Sequence, residues 1–356
     1  MTSLPNSVFE RPDAMTPDTT RMRSEILEIP EAVDRLLSRG QPDVEKAADA
    51  AREADPSFLL SVARGSSDHA CTYLKYVSEL LLKRPMASVG PSVKSVYGTD
   101  LVAPGTLCIS VSQSGQSPDI VRMTESLAAN GALTVAITND PGSRLAGVAD
   151  KTLPIHAGPE LSVAATKTFV TSLVAGLWLL AEIRQDNDLI SAVRALPGHL
   201  SNATACDWSE AADSIDGSSL FTLGRGPSWA ISNEAALKFK ETCLIHAESY
   251  SSAEVMHGPV SIVDRSFPVI AFAAGDAAEE NVAQTADALA DKGARVFTLA
   301  RGARRARQLP HVRTAHWLTD PIAAIVSFYG MVENVATKRG INPDTPRHLN
   351  KVTETV

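Results

Sequence analysis

The sequence predicts an α/β protein built from two tandem copies of one unit, each a parallel sheet flanked by helices as a flavodoxin-like or Rossmann-like three-layer sandwich. Three observations predict it. Short apolar runs alternate with segments of helical period, the pattern of parallel strands joined by helical crossovers. Two of those runs end alike: Phe58–Val62 leads into Ala63-Arg64-Gly65-Ser66-Ser67, and Leu220–Leu223 leads into Gly224-Arg225-Gly226-Pro227-Ser228. Gly65 and Gly226 stand 161 residues apart, and the same offset carries later segments onto one another. A constant offset between like segments is the mark of an internal repeat.

In chain order, residues 1–40 read as an N-terminal extension with a helix over Met15–Leu37, interrupted near Pro30. Residues 41–195 form the first unit, with the strand at Phe58, a helix over Ala70–Leu82, a strand at Leu107–Val111, a helix over Asp119–Asn130, a strand at Leu133–Thr138 and a greasy helix over Val163–Ile183. Residues 205–339 form the second. Helical patterns run over Ala230–Glu241 and Glu279–Lys292, and the offset lays strands within Pro268–Phe272 and Ala294–Leu299 and the last helix within Ala324–Lys338. Residues 340–356 carry Pro343 and Pro346 without periodicity and read as a strap or lid bearing Lys351.

Composition narrows the function. With 44% hydrophobic but only 5% aromatic residues in 356, the core rests on Ala, Val, Leu and Ile. A formal net charge of −8 argues against nucleic acid as the partner. The cluster Arg301, Arg304, Arg305 and Arg307 reads as a solvated loop. Cys71, Cys108, Cys206 and Cys243 are scattered without a C-x-x-C pair, which fits buried thiols in a reducing cytoplasm. Met1–Thr20 lacks the apolar stretch of a signal peptide. The greasiest segment, Phe169–Ile183, is short and holds Thr171, Ser172 and Gly176, so it reads as a buried helix and not a membrane span.

The most informative stretch is Ser112-Gln113-Ser114-Gly115-Gln116-Ser117, between an apolar strand and Pro118-Asp119-Ile120-Val121. Hydroxyls, backbone amides and a helix N-terminus converge there, which suits a phosphate. No Lys or Arg lies within the turn, so a small sugar phosphate fits better than a polyphosphate. The offset places Ser112, Gln113, Ser114 and Gly115 on Ala273, Ala274, Gly275 and Asp276, so the second copy loses the hydroxyls and gains an acid. What the second half has instead is Lys238, Glu241 and His257. Glu234, Lys238 and Glu241 share a helix face, a spacing that by itself describes an exposed salt-bridged surface. Ile245–Tyr250 reads as a polar loop holding His246, while Gly258 and Pro259 fix the backbone beside His257. No His or Cys spacing suggests a metal site. Gly224-Arg225-Gly226 lacks the third glycine of a dinucleotide fingerprint, because Trp229 occupies its place.

These motifs resemble the sugar isomerase (SIS) family of double-domain type. The resemblance runs from about Met22 to Val356 through Ala63–Ser67, Ser112–Ser117, Val163-Ala164-Ala165-Thr166-Lys167, Ala236–Glu241, Ile245-His246-Ala247-Glu248, His257-Gly258-Pro259 and the Lys351 tail. It is greatest to the isomerase half of glucosamine-6-phosphate synthases and to SIS-type glucosamine-6-phosphate deaminases. The resemblance implies that Ser112, Gln113, Ser114 and Ser117 hold a sugar phosphate, and that Ser66, Ser67 and the Val163 backbone contact the sugar. It implies Glu241 as the acid/base between C1 and C2, His257 as an aid to ring opening from a neighbouring subunit, Lys238 as a supporting cation, and Lys351 with Asn350 beside it approaching C1 or C2. It also implies a homodimer with shared sites and no metal or redox cofactor. Synthases of this family that draw ammonia from glutamine use an N-terminal cysteine, whereas here position 2 is Thr2 and the first cysteine is Cys71. The expected activity is therefore deamination of glucosamine 6-phosphate to fructose 6-phosphate and ammonia. A related enzyme for galactosamine 6-phosphate or fructosamine 6-phosphate is the alternative, and a non-catalytic sugar-phosphate sensor is the alternative of another class. Gln116 stands where the synthases usually have an acid, Ala165 where they have Ser, and Asn350 where they have a small residue.

Overall fold

A computed structural model describes residues 19–349 and Lys351. Five parallel strands, β1 (Phe58–Val62), β2 (Met86–Ser88), β3 (Thr106–Val111), β4 (Leu133–Thr138) and β5 (Lys151–Pro154), form one sheet in the order 2-1-3-4-5. Five more, β6 (Ser219–Gly224), β7 (His246–Ser251), β8 (Pro268–Ala271), β9 (Arg295–Thr298) and β10 (Arg307–Gln308), form a second sheet in the order 7-6-8-9-10. The two orders are the same topology. The repeat holds to the level of backbone angles. Gly65 adopts φ 56°, ψ −134° and Gly226 adopts φ 56°, ψ −136°, each opening the helix after the first strand of its unit.

The helices, in chain order, are α1 (Arg21–Leu27), α2 (Ile29–Arg39), α3 (Gln41–Ala54), α4 (Ser66–Val77), α5 (Ser92–Ser95), α6 (Pro118–Ala129), α7 (Arg144–Val148), α8 (Lys167–Arg184), α9 (Asn187–Arg194), α10 (Leu196–Thr204), α11 (Ser209–Ser214), α12 (Pro227–Cys243), α13 (Glu279–Asp291) and α14 (Asp320–Lys338). Pro30 occupies the first turn of α2, where its missing N–H costs nothing, and the chain breaks between α1 and α2 just before it. α8 is buried along nearly its whole length because α2, α3, α4, α9 and α14 pack around it, which explains why it shows no amphipathic stripe. Among the described residues, no helix is long and apolar enough to cross a membrane.

The inner faces of both sheets join one core, with Leu59, Ile109 and Val135 from the first and Leu220, Ile270 and Phe297 from the second. The outer faces close against α6 in the first unit and α13 in the second. α12 lies against both α4 and α14, so the second unit's first helix touches the first unit's first helix. All four cysteines are free, and Cys71, Cys108 and Cys243 are buried.

Three expectations need correction. Ile245–Tyr250 is not a loop: His246–Ser251 is β7, in parallel register with β6 from Ser219↔His246 to Gly224↔Ser251. It is the edge strand, paired on one side only, so its sequence stays polar. The greasy helix starts at Lys167 and not at Val163, because the Thr166 and Thr168 amides donate to the Glu160 carboxylate at 3.0 Å each and hold the preceding residues in a turn. α14 correspondingly begins at Asp320, so the offset between α8 and α14 is shorter than elsewhere. The first crossover helix begins at Ser66, four residues before Ala70, since its polar first turn is masked in the hydrophobic pattern.

Candidate active site

Steric limits fix the shape of the hydroxyl turn. Gly115 takes φ +61°, and a Cβ there would stand 2.1 Å from Ser143 Oγ. Glycine alone meets both conditions. Within the turn, the Gly115 amide donates to Ser112 Oγ at 3.2 Å and the Gln116 amide to Ser114 Oγ at 3.3 Å. From outside, the Leu145 amide donates to the Gly115 carbonyl at 3.0 Å and the Asn139 amide to the Gln113 carbonyl at 3.1 Å. Ser112 is buried, Gln113, Ser114 and Ser117 are half-buried, and Gln116 is exposed. Ser117 caps α6 with extended backbone and Pro118 follows at its first turn, where the Ile120 amide donates to Asp119 Oδ1 at 2.9 Å. Asp119, fully buried in the same turn, would oppose an anion, but Arg64 at the end of β1 pairs with it at 2.5 Å. Arg64, just after β1, thus offsets the buried carboxylate beside the turn. Gly115→Ala is expected to weaken inorganic phosphate binding by about tenfold or more in calorimetry, equivalent to ~1.4 kcal/mol. Unchanged binding would show that the turn's shape does not hold an anion.

The equivalent turn of the second unit is closed to anions. The Gly275 amide donates to Asp320 Oδ2 at 2.8 Å, and Arg313 lies 3.1 Å from the same carboxylate while also pairing with Glu279. A carboxylate of the protein itself takes the amide that a phosphate would need.

Glu234, Lys238 and Glu241 do share a face of α12, but the face is not exposed. α4 and α14 cover it, and Glu234 and Lys238 are wholly buried. Lys238 Nζ donates to Glu241 Oε2 at 2.5 Å and to Ser66 Oγ at 3.1 Å, and it lies 3.2 Å from Glu234 Oε1. Glu234 also accepts from Ser66 Oγ at 3.1 Å and from the Tyr329 hydroxyl at 3.2 Å, with His69 Nδ1 3.0 Å from its other oxygen. Burial pushes the Glu234 carboxyl up, but the Lys238 charge and the His69 contact outweigh it and hold the group below its ordinary value. Burial likewise works against the Lys238 ammonium, and the Glu234 and Glu241 carboxylates outweigh it and raise Lys238 above its ordinary value. Only Glu241 of the three reaches water, with 21% of its side chain exposed. The network therefore ends in one accessible carboxylate backed by a buried ammonium.

Ser66 and Arg64 connect this network to the turn. Two residues apart in the segment after β1, Arg64 pairs with the first turn of α6 and Ser66 with Lys238 of α12. Ser67 is half-buried on the same helix start. On the tail, Lys351 Nζ donates to the Ser162 carbonyl at 2.6 Å and lies 2.9 Å from buried Glu160. The Val163 amide donates to the Asp344 carbonyl at 3.2 Å, so Val163 has only its carbonyl to offer a ligand. Asp344 in turn accepts from the Arg21 and Met22 amides at the start of α1, at 2.9 and 2.8 Å. The tail is thus fastened over the loop before α8. His257 stands apart from these contacts, exposed on a short 3-10 turn, Val255–His257. Asn350 lies outside the described residues. Sequence reasoning missed Glu160, His69 and Tyr329. His69 follows Ser66 by one helical turn and was findable by that spacing, whereas Tyr329 sits unmarked in an apolar helix.

Two parallel α/β units in tandem, one bearing a hydroxyl turn and the other a Glu–Lys–Glu row with Glu234 and Lys238 buried, define a duplicated α/β protein. The SIS domain family matches residues 56–182 and 215–305, and the chain belongs to that family. The isomerizing glutamine–fructose-6-phosphate aminotransferase of Pyrobaculum aerophilum is 31% identical over 346 residues, covering 93% of this chain and 56% of that protein. The chain spans about half the length of the curated relatives it matches. A Silicibacter pomeroyi DSS-3 protein, provisionally described as a phosphosugar isomerase, is 61% identical with a TM-score of 0.89, covering 92% of this chain and 100% of that one. The glucosamine-6-phosphate deaminase of Thermotoga maritima shares the fold at 21% identity, with a TM-score of 0.75 over 94% of this chain and 100% of that one.

Proposed function

We propose that the protein is a phosphosugar isomerase acting on an amino sugar, and that it deaminates glucosamine 6-phosphate to fructose 6-phosphate and ammonia. The observation that carries this reading is the Ser66–Lys238–Glu241 chain of contacts, which sets one accessible carboxylate beside the helix start that also anchors the hydroxyl turn. The 61% identical relative described as a phosphosugar isomerase supports the same class.

In this reading Ser112, Gln113, Ser114 and Ser117 hold the phosphate, and Ser66, Ser67 and the Val163 carbonyl face the sugar. The opened aldose presents its C2 proton to Glu241, which removes it as the C1=C2 enolamine forms. The same carboxyl returns the proton to C1, and the proton that O1 gained in the enolamine is matched by one lost from the amino nitrogen, giving an imine at C2. Water adds to that carbon, the C–N bond breaks and ammonia leaves, so one water is consumed for each ammonia released. Lys238 stays protonated and stabilises the Glu241 carboxylate before the first transfer and after the second. Lys351, held by Glu160, lies with the loop that carries Val163 and approaches C1 or C2. His257, exposed on its own subunit, assists ring opening in the site of a second copy, which makes the working unit a dimer.

The test is direct. The purified protein is incubated separately with glucosamine 6-phosphate, galactosamine 6-phosphate and fructosamine 6-phosphate, and released ammonia is measured. Ammonia from the first and little from the others is expected. Release from another sugar alone would overturn the substrate assignment, and release from none, with binding retained, would favour a sensor.

A further inference from the structure

The internal repeat maps the active site onto a second place in the molecule, and that place is a cavity of about 890 Å3. Its walls are the counterparts of the catalytic groups. The repeat offset carries Ser66 onto Pro227, Ser114 onto Gly275, Ser117 onto Ala278 and Glu241 onto Leu80, and all four counterparts line the cavity. Lys238 corresponds to Val77. Trp317, from the segment before α14, closes another side. The counterpart positions of the hydroxyls and the acid that line the cavity are thus without polar side chains. The cavity's size is within the range of pockets that hold small molecules.

Two charged groups line this cavity, Arg225 in the place of Arg64 and Asp276 in the place of Gly115. Arg64 is paired with Asp119 in the first unit, whereas its counterpart Arg225 pairs with no carboxylate among the described residues. Asp276 is half-buried and forms no ion pair among the described residues. One of its oxygens accepts from the Ala278 amide at 2.9 Å, which leaves the other available. Burial, with Glu279 adding to it, pushes this carboxyl up, a strain that an incoming cation would relieve. The anion position itself is already filled by Asp320, so a phosphate is excluded.

We propose that this cavity is a second ligand site, for a small zwitterion with an apolar or aromatic body, of the amino-acid type. The guanidinium of Arg225 receives the carboxylate, Asp276 receives the ammonium, and Tyr76, Leu80 and Trp317 pack the body. The cavity touches the C-terminal end of α4 and the N-terminal end of α12, the opposite ends from those that carry Ser66 and Glu241. This assignment does not depend on the reaction proposed above.

Calorimetric titration of the full chain with L-phenylalanine, phenethylamine and 3-phenylpropionate tests it. L-Phenylalanine is expected to bind, and each analogue, lacking one charge, to bind about tenfold more weakly or worse. Arg225→Gln should reduce L-phenylalanine to the level of phenethylamine, and Asp276→Asn to the level of 3-phenylpropionate. Leu80→Trp, at a half-exposed position, should fill the cavity and abolish binding of all three while leaving the melting temperature and the binding of glucosamine 6-phosphate unchanged. The proposal is overturned if L-phenylalanine does not bind, if the analogues match it, or if Leu80→Trp leaves its binding intact.

Discussion

Glu241→Gln is expected to lower turnover of glucosamine 6-phosphate by about 100- to 10,000-fold, the range over which a positioned acid/base acts, while leaving substrate affinity within a few-fold of wild type. The separation follows from the geometry. Glu241 contributes one accessible carboxylate next to Lys238 and Glu234, which are wholly buried. Gln preserves its shape and can still accept a hydrogen bond from Lys238 Nζ, but it cannot take up the C2 proton. The proposed phosphate contacts belong to Ser112–Ser117 on a different unit, and among the described residues that turn makes no hydrogen bond to residue 241. Measuring ammonia release alongside calorimetric binding reads both effects in one sample. Near-normal turnover would remove Glu241 from the chemistry. Loss of binding together with turnover would show that the carboxylate holds the substrate instead of transforming it.

How much of this was legible in the sequence depends on where each signal is written. Strands β1, β3, β4, β6, β8 and β9 were readable because each is an apolar run, and β3 is buried at all six positions. The repeat was readable because duplicated backbone turns demand the same residue types, as the matching angles of Gly65 and Gly226 show. β7 was hidden because an edge strand need not be apolar, and β2 because three residues are too few to show a period. The face shared by Glu234, Lys238 and Glu241 was legible, but its burial was not. Periodicity tells which side chains point the same way; what covers them is contributed by α4 and α14, far away in sequence. The role of Glu160 was equally out of reach, since its meaning comes from a tail lysine 191 residues later.

Removing the buried ammonium should have the largest effect on stability. Lys238→Met keeps the volume of the side chain but leaves the Glu234 carboxylate, wholly buried, without its neighbouring positive charge. The remaining donors, Ser66, Tyr329 and His69, solvate it only in part. Breaking a buried pair from one side costs about 3–5 kcal/mol, a large share of the ~5–15 kcal/mol that holds a typical fold. A marked fall in the urea midpoint is expected. The double variant Lys238→Met with Glu234→Gln should recover much of the loss, because no unpaired charge remains. The sign of the pH dependence gives a sharper test. In the wild type the Glu234 carboxyl lies below its ordinary value near 4.5, so its contribution is present above that pH and lost as pH falls through the folded-state value. In Lys238→Met the opposing ammonium is gone and burial dominates, which raises the folded-state value above the unfolded one. The variant's deficit relative to wild type should therefore shrink as the solution is acidified from neutral pH. A deficit that stays constant or grows on acidification would mean that Lys238 stabilises the fold by packing and not by its charge.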